Sequence, residues 1–120
     1  MSKRILVVED SATHRQLITT PLSRQGYSVS TAVNGDEAIE KAKREHPDLI
    51  VLDIVLPKKN GFQVCRQLKT ADATKDIKIL MLSSKSRNSD RFWGIRQGAD
   101  EYMTKPFDET ELVAMVARLL

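Results

Sequence analysis

The feature that most constrains this chain is a recurring pattern of short apolar runs separated by helix-like stretches. Ile5–Val8, Leu49–Leu52 and Ile77–Leu82 are nearly continuous runs of Ile, Leu and Val with one Met and one Lys among them. Segments this short and this apolar read as strands buried on both faces, the pattern of a parallel sheet covered on two sides. Tyr27–Thr31 alternates between larger and smaller, wetter residues and reads as an edge strand. Glu101–Thr104 is short and suits the opposite edge.

The intervening stretches carry helix signals. Ala12–Gln25 places Leu17, Ile18 and Leu22 in an amphipathic pattern and stops at Gly26. Pro21 inside it removes the hydrogen bond to the Leu17 carbonyl and predicts a kink. Asp36–Glu45 follows an Asn34-Gly35 turn and puts Ala38, Ile39 and Ala42 on one face. Gly61–Lys69 carries Phe62, Cys65 and Leu68. Ser89–Gln97 carries Phe92 and Ile95, expected to face the core. Asp108 is expected to cap the last helix, with Glu111 completing a capping box and Phe107 stapled to Leu112.

The order is thus β-α-β-α-β-α-β-α-β-α. Such alternation with short links predicts an α/β fold, a doubly wound five-stranded parallel sheet with right-handed crossovers. The 120 residues suit one domain. The last helix uses up the sequence, so one domain over 1–120 with no output domain is expected. No apolar run exceeds six residues (Leu112–Ala117), too short to span a membrane or to form a signal peptide, and the default location is cytoplasmic. A lone cysteine, Cys65, excludes an intrachain disulfide or a cysteine-rich metal site, and it is expected in the core.

In an open α/β sheet, ligands bind at the carboxyl ends of the strands. Here those ends are Glu9-Asp10, Asp53, Ser83-Ser84 and Thr104-Lys105-Pro106. Three carboxylates, a hydroxyl and an ammonium therefore converge from segments far apart in sequence. Like charges about 4 Å apart repel by roughly 4 kcal/mol at an effective dielectric near 20. Lys105 offsets one charge and leaves the cluster near −2. An oxygen-seeking divalent ion such as Mg²⁺ would neutralise the remainder. A metal-binding acidic cluster beside a lysine suits phosphoryl transfer, in which the protein chiefly positions groups and neutralises charge. Asp53 ends the central buried run and is the candidate nucleophile, giving an aspartyl phosphate. Lys105 would pair with phosphoryl oxygens, and Ser83 would donate to them.

On Glu9-Asp10, Asp53-Ile54-Val55-Leu56-Pro57, Asn60-Gly61, Ser83, Gly98-Ala99-Asp100, Tyr102 and Lys105-Pro106-Phe107, the chain resembles a CheY-like receiver domain of a two-component response regulator over its whole length. The resemblance implies strand order 2-1-3-4-5 and phosphorylation of Asp53 by a histidine kinase or a small acyl phosphate. It implies Mg²⁺ held by Asp10 and Asp53, by Glu9 through water, and by the Val55 backbone carbonyl. It further implies a cis Lys105-Pro106 bond. It casts Ser83 and Tyr102 as a switch pair, in which Tyr102 rotates inward and shifts the surface of helix four, strand five and helix five. Such a protein is a signalling molecule with a downstream effector protein, not an enzyme in the usual sense. Trp93-Gly94-Ile95-Arg96-Gln97-Gly98-Ala99 also resembles receivers of the PilH-like type, from twitching-motility and phototaxis clusters.

The chain departs from the family pattern at several points. Val55 is apolar, so only its carbonyl can serve a metal. Lys85 adds charge near the site entrance, and Ser83 stands where Thr is commoner, losing a stiffening methyl. Other readings are a phosphate sink within the same pathway and an aspartate-nucleophile phosphatase of the haloacid dehalogenase type. The phosphatase usually has a second acid where Val55 stands. A flavodoxin-like cofactor binder would not place Glu9-Asp10 where a phosphate must sit. The net charge of +3 and pI near 9.1 suggest nucleic acid, but no basic run exceeds two residues and aromatics are only 5%. Monomer is the default state.

Trp93 is expected to point outward, serving a partner interface or packing against a neighbouring helix. His14, beside the acidic pocket, would contact a kinase or phosphatase surface or simply be a solvated helix residue. Lys58-Lys59 would screen the acidic cluster.

Overall fold

The computed structural model describes residues 2–120. Its elements are β1 (Arg4–Val8), α1 (Ala12–Arg24), β2 (Ser28–Ala32), α2 (Gly35–Glu45), β3 (Leu49–Leu52), α3 (Gly61–Thr70), β4 (Lys78–Ser83), α4 (Asn88–Arg96), β5 (Glu101–Thr104) and α5 (Glu109–Leu119). The five strands are all parallel, in the order β2-β1-β3-β4-β5, with the alternating β2 and the short β5 at the edges as expected.

Successive residues of a strand point to opposite faces, and the two cores divide accordingly. Leu6, Val8, Ile50, Leu52, Ile79 and Met81 pack with Ala38, Ile39 and Ala42 of α2 and Val64, Cys65 and Leu68 of α3. Ile5, Val7, Leu49, Val51, Leu80 and Leu82 pack with Ile18 and Leu22 of α1 and Leu112 and Val116 of α5. Burial of consecutive residues in β1, β3 and β4 is what the unbroken apolar runs encode. Cys65 is fully buried.

Polar residues at the loop ends fix where the helices start. The side chains of Ser11, Asn34 and Asn60 accept from the backbone N–H groups of His14, Glu37 and Gln63, and Gln63 returns a bond to the Asn60 N–H. At α5 the cap differs from expectation: Asp108 accepts from the Thr110 N–H at 2.8 Å, and no capping box with Glu111 forms. Phe107 does pack against the cluster that holds Leu112. Pro21 lies buried within α1, which runs through it as one element.

The fourth helix corrects the sequence reading. Phe92 and Ile95 do not face the core; they are 55% and 47% exposed, and Trp93 is 52% exposed. The inward stripe instead runs through Asp90, Gly94 and Gln97, of which only Gly94 is fully buried. A Cβ at Gly94 would lie 2.7 Å from Met81 Sδ and 3.0 Å from Tyr102 Cδ2. The helix therefore sits against the sheet through a position with no side chain, and its apolar residues are left outside. A search for apolar periodicity sees Phe92 and Ile95 and misses a contact made by glycine.

Candidate functional site

The strand register brings the candidate residues together. Val8 of β1 pairs with Leu52 of β3, so both strands end flush. The next residues, Glu9 and Asp53, continue the ladder: the Glu9 N–H donates to the Ala32 carbonyl at 3.0 Å and the Asp53 N–H to the Val8 carbonyl at 3.1 Å. The Lys105 N–H donates to the Ser83 carbonyl at 2.9 Å, which ties the end of β5 to the end of β4. Lys105-Pro106 is a cis peptide, as the resemblance implied.

Carboxylate oxygens of Glu9, Asp10 and Asp53 lie within 4.8 Å of one another. Glu9 and Asp53 are buried, and Asp10 is exposed at the rim. The Lys105 ammonium bridges the two buried groups, donating to Glu9 Oε2 at 2.6 Å and to Asp53 Oδ2 at 3.3 Å. Asp53 Oδ1 also accepts from the Val55 N–H at 3.3 Å. Burial holds the Glu9 carboxyl above its ordinary range; the Lys105 bond works against this, and the nearby Asp53 charge adds to it. The site thus carries more negative charge than one lysine settles. Carboxylate oxygens gathered in one small volume suit Mg²⁺, which is typically held through one or two carboxylates together with waters and phosphate oxygens.

Arg15, which supports the site, has no sequence signal of its own, and Gly61 enters the sequence reading only within the Asn60-Gly61 pair. Arg15 donates from Nη1 to the Glu9 carbonyl at 2.9 Å, clamping the backbone of the acidic pair to the first turn of α1. Gly61 lies so close that a Cβ there would stand 2.3 Å from the Asp53 carbonyl oxygen. It also donates its N–H to the Ile54 carbonyl at 2.8 Å. His14, expected as a kinase or phosphatase contact or a solvated helix residue, is exposed, and its Nδ1 also lies 3.1 Å from Lys105 Nζ. Their common signal, visible only in hindsight, is position: one turn into the helix that follows Asp10, or at the start of the helix after the Asp53 loop. Lys59 does not screen the acidic cluster. It turns toward Gln67 and Asp36, at 3.1 Å and 3.8 Å.

Ser83 is buried at the end of β4, its Oγ accepting from the Lys85 N–H at 3.4 Å. Tyr102 is 2% exposed, and its hydroxyl donates to the Lys85 carbonyl. Its ring already lies inward, under Arg91, whose guanidinium carbon is 5.4 Å from the ring centroid. Trp93 lies apart from this cluster on the outer side of α4, edge-on to Phe92. Val55 is exposed at the rim. Beside Lys105, a cleft of about 430 Å³ opens between α1 and the start of α5, lined by His14, Leu17, Ser84, Pro106 and Phe107 among others.

The family model for the response regulator receiver domain matches residues 5–117. The chain belongs to this family. As a receiver it is 47% identical, over all 120 of its residues, to the alkaline phosphatase synthesis transcriptional regulatory protein PhoP of Bacillus subtilis, of which it covers 49%. It is 40% identical to protein PilH of Pseudomonas aeruginosa, over 98% of this chain and 97% of that one. The receiver thus spans about half the length of several of its curated relatives and nearly all of PilH. The chemotaxis response regulator CheY4 of Vibrio cholerae superposes with a TM-score of 0.93 at 31% identity, with both chains fully covered. The CheY-like fold and the PilH-like resemblance expected from the sequence are borne out. No helix among the described residues is long and apolar enough to cross a membrane.

Proposed function

We propose that this receiver accepts a phosphoryl group on Asp53 from a histidine kinase and signals through protein contacts. The observation that carries this reading is the Lys105 ammonium held between Asp53 and Glu9 at the edge of a three-carboxylate cluster. One Asp53 oxygen attacks phosphorus, the bond from phosphorus to the donor's imidazole nitrogen or acyl oxygen breaks, and the leaving group departs with the electron pair. Lys105 meets the charge on the phosphoryl oxygens, and the Ser83 hydroxyl donates to another of them. Glu9, Asp10, Asp53 and the Val55 carbonyl are the groups that would hold Mg²⁺, which supplies further neutralisation of the phosphoryl oxygens when bound. The chain catalyses its own phosphorylation and hydrolysis while serving as a switch.

In this reading Ser83 and Tyr102 form the switch. The Tyr102 hydroxyl is tied to the backbone two residues past Ser83, so a shift of Ser83 toward the phosphoryl group is felt by Tyr102 and by the surface of α4, β5 and α5. Trp93, with Phe92 and Ile95, supplies that surface with an exposed apolar patch for an effector protein. The PilH likeness supports a role in type IV pilus motility or taxis, in the cytoplasm.

The test is mass measurement after incubation with Mg²⁺ and acetyl phosphate. The wild type gains one phosphoryl group and Asp53→Asn gains none. No gain in the wild type, or equal gain in both, overturns the mechanism.

A further inference from the structure

An ammonium group carries three protons to donate, and the Lys105 ammonium has three near partners. Two are carboxylates, Glu9 Oε2 at 2.6 Å and Asp53 Oδ2 at 3.3 Å. The third is an imidazole nitrogen, His14 Nδ1 at 3.1 Å. Because Lys105 has only protons to offer, Nδ1 must be the acceptor. A hydrogen bond between the two therefore goes with the tautomer that carries its ring proton on Nε2.

The three partners differ in what happens to them during phosphoryl transfer. Glu9 and Asp53 belong to the group of oxygens that would hold a metal, and Asp53 is also the proposed nucleophile. Their bonds to Lys105 must weaken or exchange for phosphoryl oxygens as the reaction proceeds. His14 has no such second task. Its bond to Nζ can persist from the free protein through the transfer.

His14 is also presented by a fixed frame. It stands in the first turn of α1, where its N–H donates to the Ser11 cap at 3.3 Å. The neighbouring Arg15 clamps that turn to the end of β1 through the Glu9 carbonyl at 2.9 Å. A group carried on a supported helix holds its partner more closely than one on a free loop.

We propose that His14 is a positioning residue for Lys105, holding one ammonium proton so that the other two stay aimed at the phosphoryl oxygens on Asp53. The proposal rests on the reading of Asp53 as the phosphoryl acceptor. His14 takes no proton and forms no bond to phosphorus. It limits the swing of a long, flexible side chain at the moment its two other bonds exchange.

Three His14 variants, and one spectrum with Lys105→Ala as its control, test it. With acetyl phosphate and saturating Mg²⁺, His14→Ala slows the maximal phosphorylation rate roughly tenfold, equal to about 1.4 kcal/mol. Mg²⁺ affinity by calorimetry is unchanged, because His14 lies outside the carboxylate cluster. His14→Asn, whose side-chain oxygen can occupy the place of Nδ1, recovers most of the rate. His14→Gln, which mimics the Nε2 position, does not. In the wild type, ¹⁵N NMR of the His14 ring shows an unprotonated Nδ1 accepting a hydrogen bond, a signal lost in Lys105→Ala.

A His14→Ala protein that phosphorylates at the wild-type rate overturns the proposal. So does an Asn variant as slow as Ala, or a proton found on Nδ1. A wild type that takes up no phosphoryl group overturns the acceptor reading and the kinetic role with it. The ring spectrum still reports on the His14–Lys105 pair by itself.

Discussion

The Tyr102 hydroxyl donates its hydrogen bond to the carbonyl of Lys85, so the inward position of the ring is tied to the backbone just beyond Ser83. The same ring packs at the one place on α4 that lacks a side chain. A methyl at Gly94 would meet Tyr102 Cδ2 at 3.0 Å and Met81 Sδ at 2.7 Å. Gly94→Ala sets two effects against each other. Alanine favours the helix by about 1 kcal/mol over glycine, and overpacking costs about 1–3 kcal/mol. The expected result is a net loss of about 1 kcal/mol in urea unfolding, with Tyr102 displaced outward. Ring chemical shifts of Tyr102 check the displacement, and an unchanged ring environment refutes it.

Gly61→Ala acts on the site itself. Its methyl would stand 2.3 Å from the Asp53 carbonyl oxygen and 2.7 Å from Ile54 Cα, both backbone atoms with little room to move. The loop carrying Asp53 must shift. We expect a stability loss of about 2–3 kcal/mol and a marked fall in the phosphorylation rate. Wild-type phosphorylation in this variant would show that the loop tolerates the shift.

Alkaline pH is expected to destabilise the fold through two buried acids. Burial pushes the Cys65 thiol from an ordinary 9.0 up to about 12, with Lys69 pulling the other way. Burial, assisted by the Asp90 charge, pushes the Tyr102 phenol from 10.0 up to about 12. Both groups hold their protons more tightly folded than unfolded. Their contribution is therefore complete below pH 9 and lost as pH rises toward 12. The urea midpoint should stay level to about pH 9 and fall beyond it. Cys65→Ala flattens the early part of that fall, and Tyr102→Phe flattens the later part. Identical slopes in the variants and the wild type would sink this account.

The charge crowding at Glu9 makes a further prediction. Its carboxyl is held above the ordinary range by burial and by Asp53, even with Lys105 bonded to it. The ionised form is therefore the strained one. Glu9→Gln should raise the unfolding midpoint of the metal-free protein at pH 7 and weaken Mg²⁺ binding by roughly tenfold. Calorimetric titration and urea unfolding in chelator measure the two effects. A variant less stable than the wild type without metal would show that the Lys105 bond outweighs the crowding.

The strand ends were legible because burial leaves a loud signal. Short unbroken runs rich in Ile, Leu and Val, such as Leu49–Leu52, read as strands covered on both faces, and the residue after each run then lies at the sheet's carboxyl edge. That reasoning alone brought Glu9, Asp53, Ser83 and Lys105 together, as the structure does. It placed His14 beside the pocket without the contact to Lys105, and it gave no sign of Arg15. Both belong to an exposed helix turn, where residue type carries no packing constraint and only the three-dimensional path of a side chain reveals the contact. It misread α4 because the buried contact is made by Gly94, whose missing side chain leaves no trace in a pattern built on apolar side chains.

The exposure of Phe92 and Ile95 has a measurable consequence. If Phe92 and Ile95 were core residues, truncating either would open a cavity and cost about 2–5 kcal/mol. They are instead half exposed, and Phe92 contacts chiefly Trp93 edge-on and Arg96 across its face at 5.7 Å. Truncation of surface residues usually changes stability by no more than about 0.5 kcal/mol. We therefore expect Phe92→Ala, Trp93→Ala and Ile95→Ala each to unfold within about 1 kcal/mol of the wild type, while Leu68→Ala loses at least about 2 kcal/mol. Urea midpoints for the four variants decide the matter. A large loss at Phe92 or Ile95 would return α4 to the core, whereas small losses leave the patch free for a partner. In that case the same three variants should keep Asp53 phosphorylation intact and lose effector binding, separating the surface that sends the signal from the site that receives it.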